Sequence, residues 1–132
     1  MSATAITRIR LLAVTGVTDI VGNRIFPSIV EAGKSLPAIA IVLSGQSDSY
    51  NISGADHYPR SRVTVMCFGR SAIEADKLGE AVEAGLKDFR GQVALSARTY
   101  SAIFMKDPSD GAYYEEEVGQ HRRSSDYTLM WR

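Results

Sequence analysis

One cysteine, Cys67, stands in the whole chain. No intramolecular disulfide can form, and a reducing compartment is the simplest reading. Charge of either sign is not in excess: fifteen basic residues balance fifteen acidic ones. That argues against a dedicated nucleic-acid binder, which normally shows a basic surplus or stripe. Zero net charge also lowers the repulsion between copies, so self-association meets little electrostatic resistance. Long hydrophobic runs are missing too. The apolar start "MSATAITRIRLLAVTG" is interrupted by Arg8 and Arg10, so it reads as neither a signal peptide nor a membrane span. Soft metal ligands amount to Cys67, His57 and His121, with none of the close pairing that zinc sites need, so no metal or other cofactor is expected. No repeat, linker or low-complexity tract divides the 132 residues, a length that fits one domain spanning 1–132. The expectation is a soluble protein made in the cytoplasm.

What is present patterns into elements. Ile6, Ile9, Leu12 and Ala13 recur at helical spacing, with Gly16 as a natural stop. The glycine- and proline-punctuated stretch from Val17 to Pro37 reads as irregular, with room for one helical turn. "PAIAIVLS" places Ile39, Ile41 and Leu43 on one face and Ala38 and Ala40 on the other. That is a strand covered on both sides, or covered on one and closely approached on the other. "RVTVMCF" is a second strand, with Val63, Val65 and Cys67 on one face. Ser71 and Glu74 form the S-x-x-E capping box. The apolar stripe Leu78, Ala81, Val82, Gly85, Leu86 and Phe89 then predicts a helix of about five turns ended by Gly91. "LSARTYSAIFMK" reads as a third strand, "DPSDG" as a turn, and "QHRRSSDYTLMW" as a last strand with Tyr127, Leu129 and Trp131 on one face. The order predicts an α+β domain. Its mainly antiparallel sheet has four or slightly more strands, with an N-terminal helix and a central crossover helix packed on it.

Two stretches imitate chemical motifs. "SGQSDSYNISGADHYP" gathers Ser47, Asp48, Asp56 and His57, the parts of a hydrolase triad. The nucleophile-elbow pattern G-x-S-x-G fails there, because Ser49 stands where its second glycine belongs. Turn chemistry alone accounts for such a mixture. "SIVEAGKS" matches the end of a phosphate-binding loop, but Ser28 replaces the first glycine and the segment leads into a strand instead of opening a helix. Adjacent acids at Glu115, Glu116 and Glu117 fit a solvated edge that discourages unwanted sheet pairing. "HRR" at His121–Arg123 reads as a surface or interface contact. No catalytic residue is assigned, and the expectation is a protein that is not an enzyme.

Read in order, "VGNRIFP", "LPAIAIVLSGQSDSY", "RSRVTVMCFGRSAIEADKLGEAVEAGL" and "YTLMW" give a sequence that resembles the tail completion or tail terminator proteins of long-tailed phages and phage-like gene-transfer particles. The resemblance covers nearly the full length. It implies a structural protein that forms a ring, commonly a hexamer, which caps the tail tube, ends its growth and joins it to the head. Its partners would be copies of itself, the tail tube protein and the head–tail connector or stopper. DNA would pass through without specific binding, and no membrane is involved. The site would be the tail–head junction of a particle assembled in the host cytoplasm. A head-closure or neck protein is the nearest alternative, then a binding module unrelated to phage, and last a small hydrolase using Ser47 and His57. A globule of this length has a diameter of roughly 36 Å, and six in a touching ring leave an opening of about that width. Aromatic and aliphatic residues on a polar loop suit interfaces, so Tyr50, Ile52, His57, Tyr58 and Arg60 are expected to meet a neighbouring subunit or the tube. Arg24 is expected to brace its own irregular segment, and Glu115 to Glu117 to line the lumen.

Overall fold

The structure, a computed structural model, describes residues 2–27, 36–47, 50–51, 54–55, 60–115 and 120–131. Two helices open the chain, α1 (Ser2–Leu12) and α2 (Thr15–Val21). A two-residue strand β1 (Ile25–Phe26) follows, then β2 (Ala38–Ser47), the short ribbon strands β3 (Tyr50–Asn51) and β4 (Gly54–Ala55), and β5 (Arg60–Gly69). Helix α3 (Ala72–Leu86) crosses to β6 (Arg90–Leu95), and β7 (Arg98–Glu115) and β8 (Gln120–Trp131) complete the chain. The main sheet has six strands in the order β1-β2-β5-β8-β7-β6, parallel only between β1 and β2, and β3 pairs with β4 as a separate ribbon. The sheet has six strands where four or slightly more are expected from sequence. The architecture remains α+β.

The extra strands have physical origins. Leu95 to Lys106 was expected to be one strand, yet the chain reverses at Ser96 and Ala97, pairing Leu95 with Arg98. Ser96 sits at φ 55°, the left-handed turn conformation that a two-residue hairpin requires. Neither glycine nor asparagine marks it. "DPSDG" is not a turn between strands either. Strand β7 runs through it with its pairing to β8 interrupted between Lys106 and Asp110, an irregularity that tolerates Pro108 because proline has no N–H to give a ladder. The helix α3 ends at Leu86, earlier than expected, with Asp88 at φ 60° carrying the reversal; Gly91 lies in β6. Gly16 does not stop the first helix but lies in the first turn of α2, and Ala13 is exposed.

All three helices cover one face of the sheet. Ile6 and Leu11 from α1, Val17 and Val21 from α2, and Leu78, Val82 and Leu86 from α3 meet Ile39, Ile41, Val63, Val65, Cys67, Val93, Phe104, Tyr127 and Leu129 in one core. Those strand residues share a face by register: Ile39 opposes Cys67, Val63 opposes Tyr127, and Leu129 opposes Phe104. Period-two alternation along β5 and β8 thus reads directly as core and opposite face. The expected grouping of Tyr127, Leu129 and Trp131 holds, with Tyr100 meeting Trp131 edge-on at 5.5 Å between ring centroids. Ala38 and Ala40, on the other face from Ile39 and Ile41, are fully buried as well, so β2 is a strand covered on both sides.

Cap chemistry starts α3. The Glu74 N–H donates to Ser71 Oγ at 3.1 Å, one half of the capping box. The other half is displaced by one residue, since Glu74 Oε1 accepts from the Arg70 N–H at 2.9 Å. That backbone bond, with the Arg70 guanidinium nearby, holds the Glu74 carboxyl below its ordinary value.

Candidate functional site

Three surface features stand apart from the core. The first is the loop between β2 and β5, which begins where Ser47 pairs with Arg60. Tyr50 pairs with Ala55 and Asn51 with Gly54, which makes a separate two-stranded ribbon. Of the expected contact residues, Tyr50 lies in this ribbon and Arg60 is exposed at its base, while Ile52, His57 and Tyr58 lie outside the described residues. Ser47 falls at the end of β2, and Asp48, Asp56 and His57 also lie outside the described residues. The phosphate-loop imitation at 28–35 lies outside them too.

The second is the sheet face away from the helices. Arg62 reaches Asp107 at 3.2 Å and Asp126 at 3.2 Å, and Thr64 and Thr128 donate to these same carboxylates at 2.6 and 3.0 Å. Ser44 and Thr64 share a further hydrogen bond at 2.5 Å. This network joins β2, β5, β8 and β7 across the interruption in β7. Beside it, the ladder places Arg60, Met130, Ile103 and Arg90 in one row on one face, since Arg60 opposes Met130, Met130 opposes Ile103, and Ile103 opposes Arg90. Met105, 42% exposed, lies next to Ile103 on the same face of β7. An open depression of about 250 Å³ is lined there by Arg90, Gly91, Gln92, Ser101, Ala102 and Ile103. Sequence reading missed this row, because strand register alone brings its members together.

The third lies between α2 and the start of α3, where Ile73 is 69% exposed. Ile20, Ser71, Ile73, Glu74 and Lys77 line an open depression of about 340 Å³.

The remaining sequence-singled residues serve the fold where they are described. Arg24 Nε donates to the Pro37 carbonyl at 2.9 Å and Nη2 to the Ile20 carbonyl at 3.5 Å, linking the end of α2 to the start of β2. Arg123 packs under α3, donating to the Asp76 carbonyl at 3.3 Å with the Asp76 carboxylate at 3.8 Å, and Arg122 Nη1 lies 3.9 Å from Met66 Sδ. Cys67 is buried, and burial pushes its thiol up to about 12 against the smaller opposing pull of Arg123. Glu115 closes β7 opposite Gln120, and Glu116 and Glu117 lie outside the described residues. Among the described residues no three His, Cys, Asp or Glu side chains gather as a metal site, and no helix is long and apolar enough to cross a membrane.

The class defined by this geometry is a small α+β protein with helices on one sheet face and an open polar face opposite. No protein-family profile matches the sequence, nor does any protein of curated function. Among solved structures the fold is similar to that of a chain in the virion of a native gene transfer agent particle. The two align with a TM-score of 0.70 at 15% identity, over 97% of this chain and 92% of that one.

Proposed function

We propose that the chain is a structural protein of a phage-like particle, forming a ring that caps the tail tube, ends its growth and joins it to the head. The observation that carries this reading is the fold shared, over nearly the whole of both chains, with a gene transfer agent virion component. The ordered sequence resemblance to tail terminators points the same way, and a chain of zero net charge suits both self-association and a passage that does not grip DNA. In this reading the partners are further copies, the tail tube and the head connector, and the protein performs no catalysis. In this reading the separate β3–β4 ribbon that carries Tyr50 meets the tube or a neighbour. Electron microscopy of particles made with and without the protein tests the role: overlong tails in its absence are expected. Tails of normal length ending without a head would favour the neck-protein alternative instead. Tyr50→Ala with Tyr58→Ala is expected to lengthen tails.

A further inference from the structure

Among the described residues two large hydrophobic side chains stay exposed, and they stand on opposite sides of the molecule. Ile73, 69% exposed, is in the first turn of α3; Met105, 42% exposed, is on the sheet face away from the helices. Ile73 and Ile20 are the apolar lining of the depression between α2 and α3. Positions 73, 77 and 80 share one face of α3 by the helical period, so Glu80 continues that surface. Around Ile73, Asp19, Glu74, Asp76 and Glu80 outnumber Arg70, Lys77 and the half-buried Arg123. Glu74 is engaged by Arg70 and Asp76 by Arg123, but Asp19 and Glu80 are exposed with no ion-pair partner among the described residues. This patch is apolar at its centre and acidic at its rim.

The other patch has the opposite rim. Met105 lies beside Ile103 and Met130, which are half-buried, and the row they belong to ends in Arg60 and Arg90 about 14 Å apart, three strand spacings. Arg62 nearby is engaged by Asp107 and Asp126, whereas Arg60 and Arg90 are exposed with no ion-pair partner among the described residues. Methionine adapts to whatever packs on it, and arginine is enriched at protein interfaces. A two-fold contact would set either rim against its own charge, while one patch on the other sets opposite charges together. The two cannot meet within one chain: α3 starts just beyond Gly69, and Arg60 lies at the far end of β5, about 30 Å along the strand and on the other face. We infer that the start of α3 of one copy, with Ile73 at its centre, seats on the Met105–Ile103–Met130 surface of the next copy. Asp19 and Glu80 then face Arg60 and Arg90. The contact is heterologous, the kind that closes a ring when its rotation closes and runs on as a filament when it does not. The inference deepens the ring reading and rests on it.

The test is chemical trapping of the full chain. Lys77→Cys on α3 and Ser101→Cys beside Ile103, both exposed positions, are placed in one chain, and a bifunctional maleimide is added at low ionic strength. Buried Cys67 provides a quiet background. Trimers and larger species are expected from the doubly substituted chain. Each single variant should stay monomeric, because its one new thiol faces a patch without a second. Arg60→Glu with Arg90→Glu, added to the doubly substituted chain, should lower the yield of large species about tenfold, as expected when exposed charge pairs turn repulsive together. Adding Asp19→Lys with Glu80→Lys to that chain should restore the yield. Monomers alone from the doubly substituted chain, dimers from a single variant, or a yield indifferent to charge reversal would overturn the contact. Tail length reads the ring role separately: trapping with normal tails in the protein's absence removes the cap and leaves the contact. Overlong tails without trapping do the reverse.

Discussion

At Gly85, α3 packs directly against Val14, the residue between the two helices that precede it. A Cβ built there would lie 2.7 Å from Val14 Cγ2 and 3.0 Å from Cγ1, against an ordinary contact of 3.4 Å or more. A pair of carbons with a well of about 0.15 kcal/mol, brought to 2.7 Å, is repelled by about 10 kcal/mol. Valine cannot swing aside, because its branched Cβ fixes its rotamer, so the helices must separate by several tenths of an ångström. Moving α3 also strains the Arg10 Nε bond to the Gly85 carbonyl, 3.1 Å, and the stacking of Arg10 on Phe89 at 3.9 Å. Relaxed overpacking of this kind costs about 1–3 kcal/mol, while replacing glycine by alanine in a helix returns about 1 kcal/mol. Gly85→Ala should therefore destabilise the fold by up to about 2 kcal/mol and lower Tm by up to about 8 °C. Gly16→Ala is the internal control: nothing lies within 4 Å of its Cβ position, so the same substitution in α2 should stabilise. Urea unfolding of Gly85→Ala, Val14→Ala and the double variant completes the cycle. The double variant should be no less stable than Val14→Ala alone. Additive costs, or a stabilised Gly85→Ala, would refute the steric argument.

Removing the cap by Ser71→Ala should cost about 1 kcal/mol of stability in chemical unfolding, since the Glu74 N–H then loses its acceptor at the start of α3. Glu74 has its folded value lowered, so its contribution is fully present above the ordinary carboxylate value of 4.5 and fades as pH falls through the folded value. The stability gap between the natural chain and Glu74→Gln, measured by unfolding at several pH values, should be widest near neutrality and close in acid. Cys67 titrates in the opposite sense: its buried thiol favours the neutral form, and the stability this gives is present below 9.0 and lost as pH rises toward about 12. Maleimide labelling of the native chain at neutral pH should be slow and accelerate with denaturant in step with unfolding.

Sequence periodicity located the long elements because burial is one-sided. Val63, Val65 and Cys67, or Tyr127, Leu129 and Trp131, recur at every second position, and that period marks the face that meets the helices. What periodicity did not reveal was backbone conformation at residues that give no local cue. Ser96 and Asp88 adopt positive φ without being glycine, so the β6–β7 turn and the end of α3 were hidden. Pro108 and the glycine at 111 suggested a turn because their chemistry fits one, yet a strand irregularity accommodates the same residues. The surface row of Arg60, Met130, Ile103 and Arg90 draws one residue from each of four strands, and only pairing register reveals it.

Because the helices occupy one face alone, the core and the opposite face are written on alternate residues of the same strands. In β8, Tyr127 and Leu129 hold the core while Thr128 and Met130 face outward. Substitutions can therefore drift on the outward set with little effect on whether the chain folds. A lineage of such proteins is free to change that outward face while keeping one scaffold. Tolerance to mutation along β5 and β8 should rise and fall with a period of two residues.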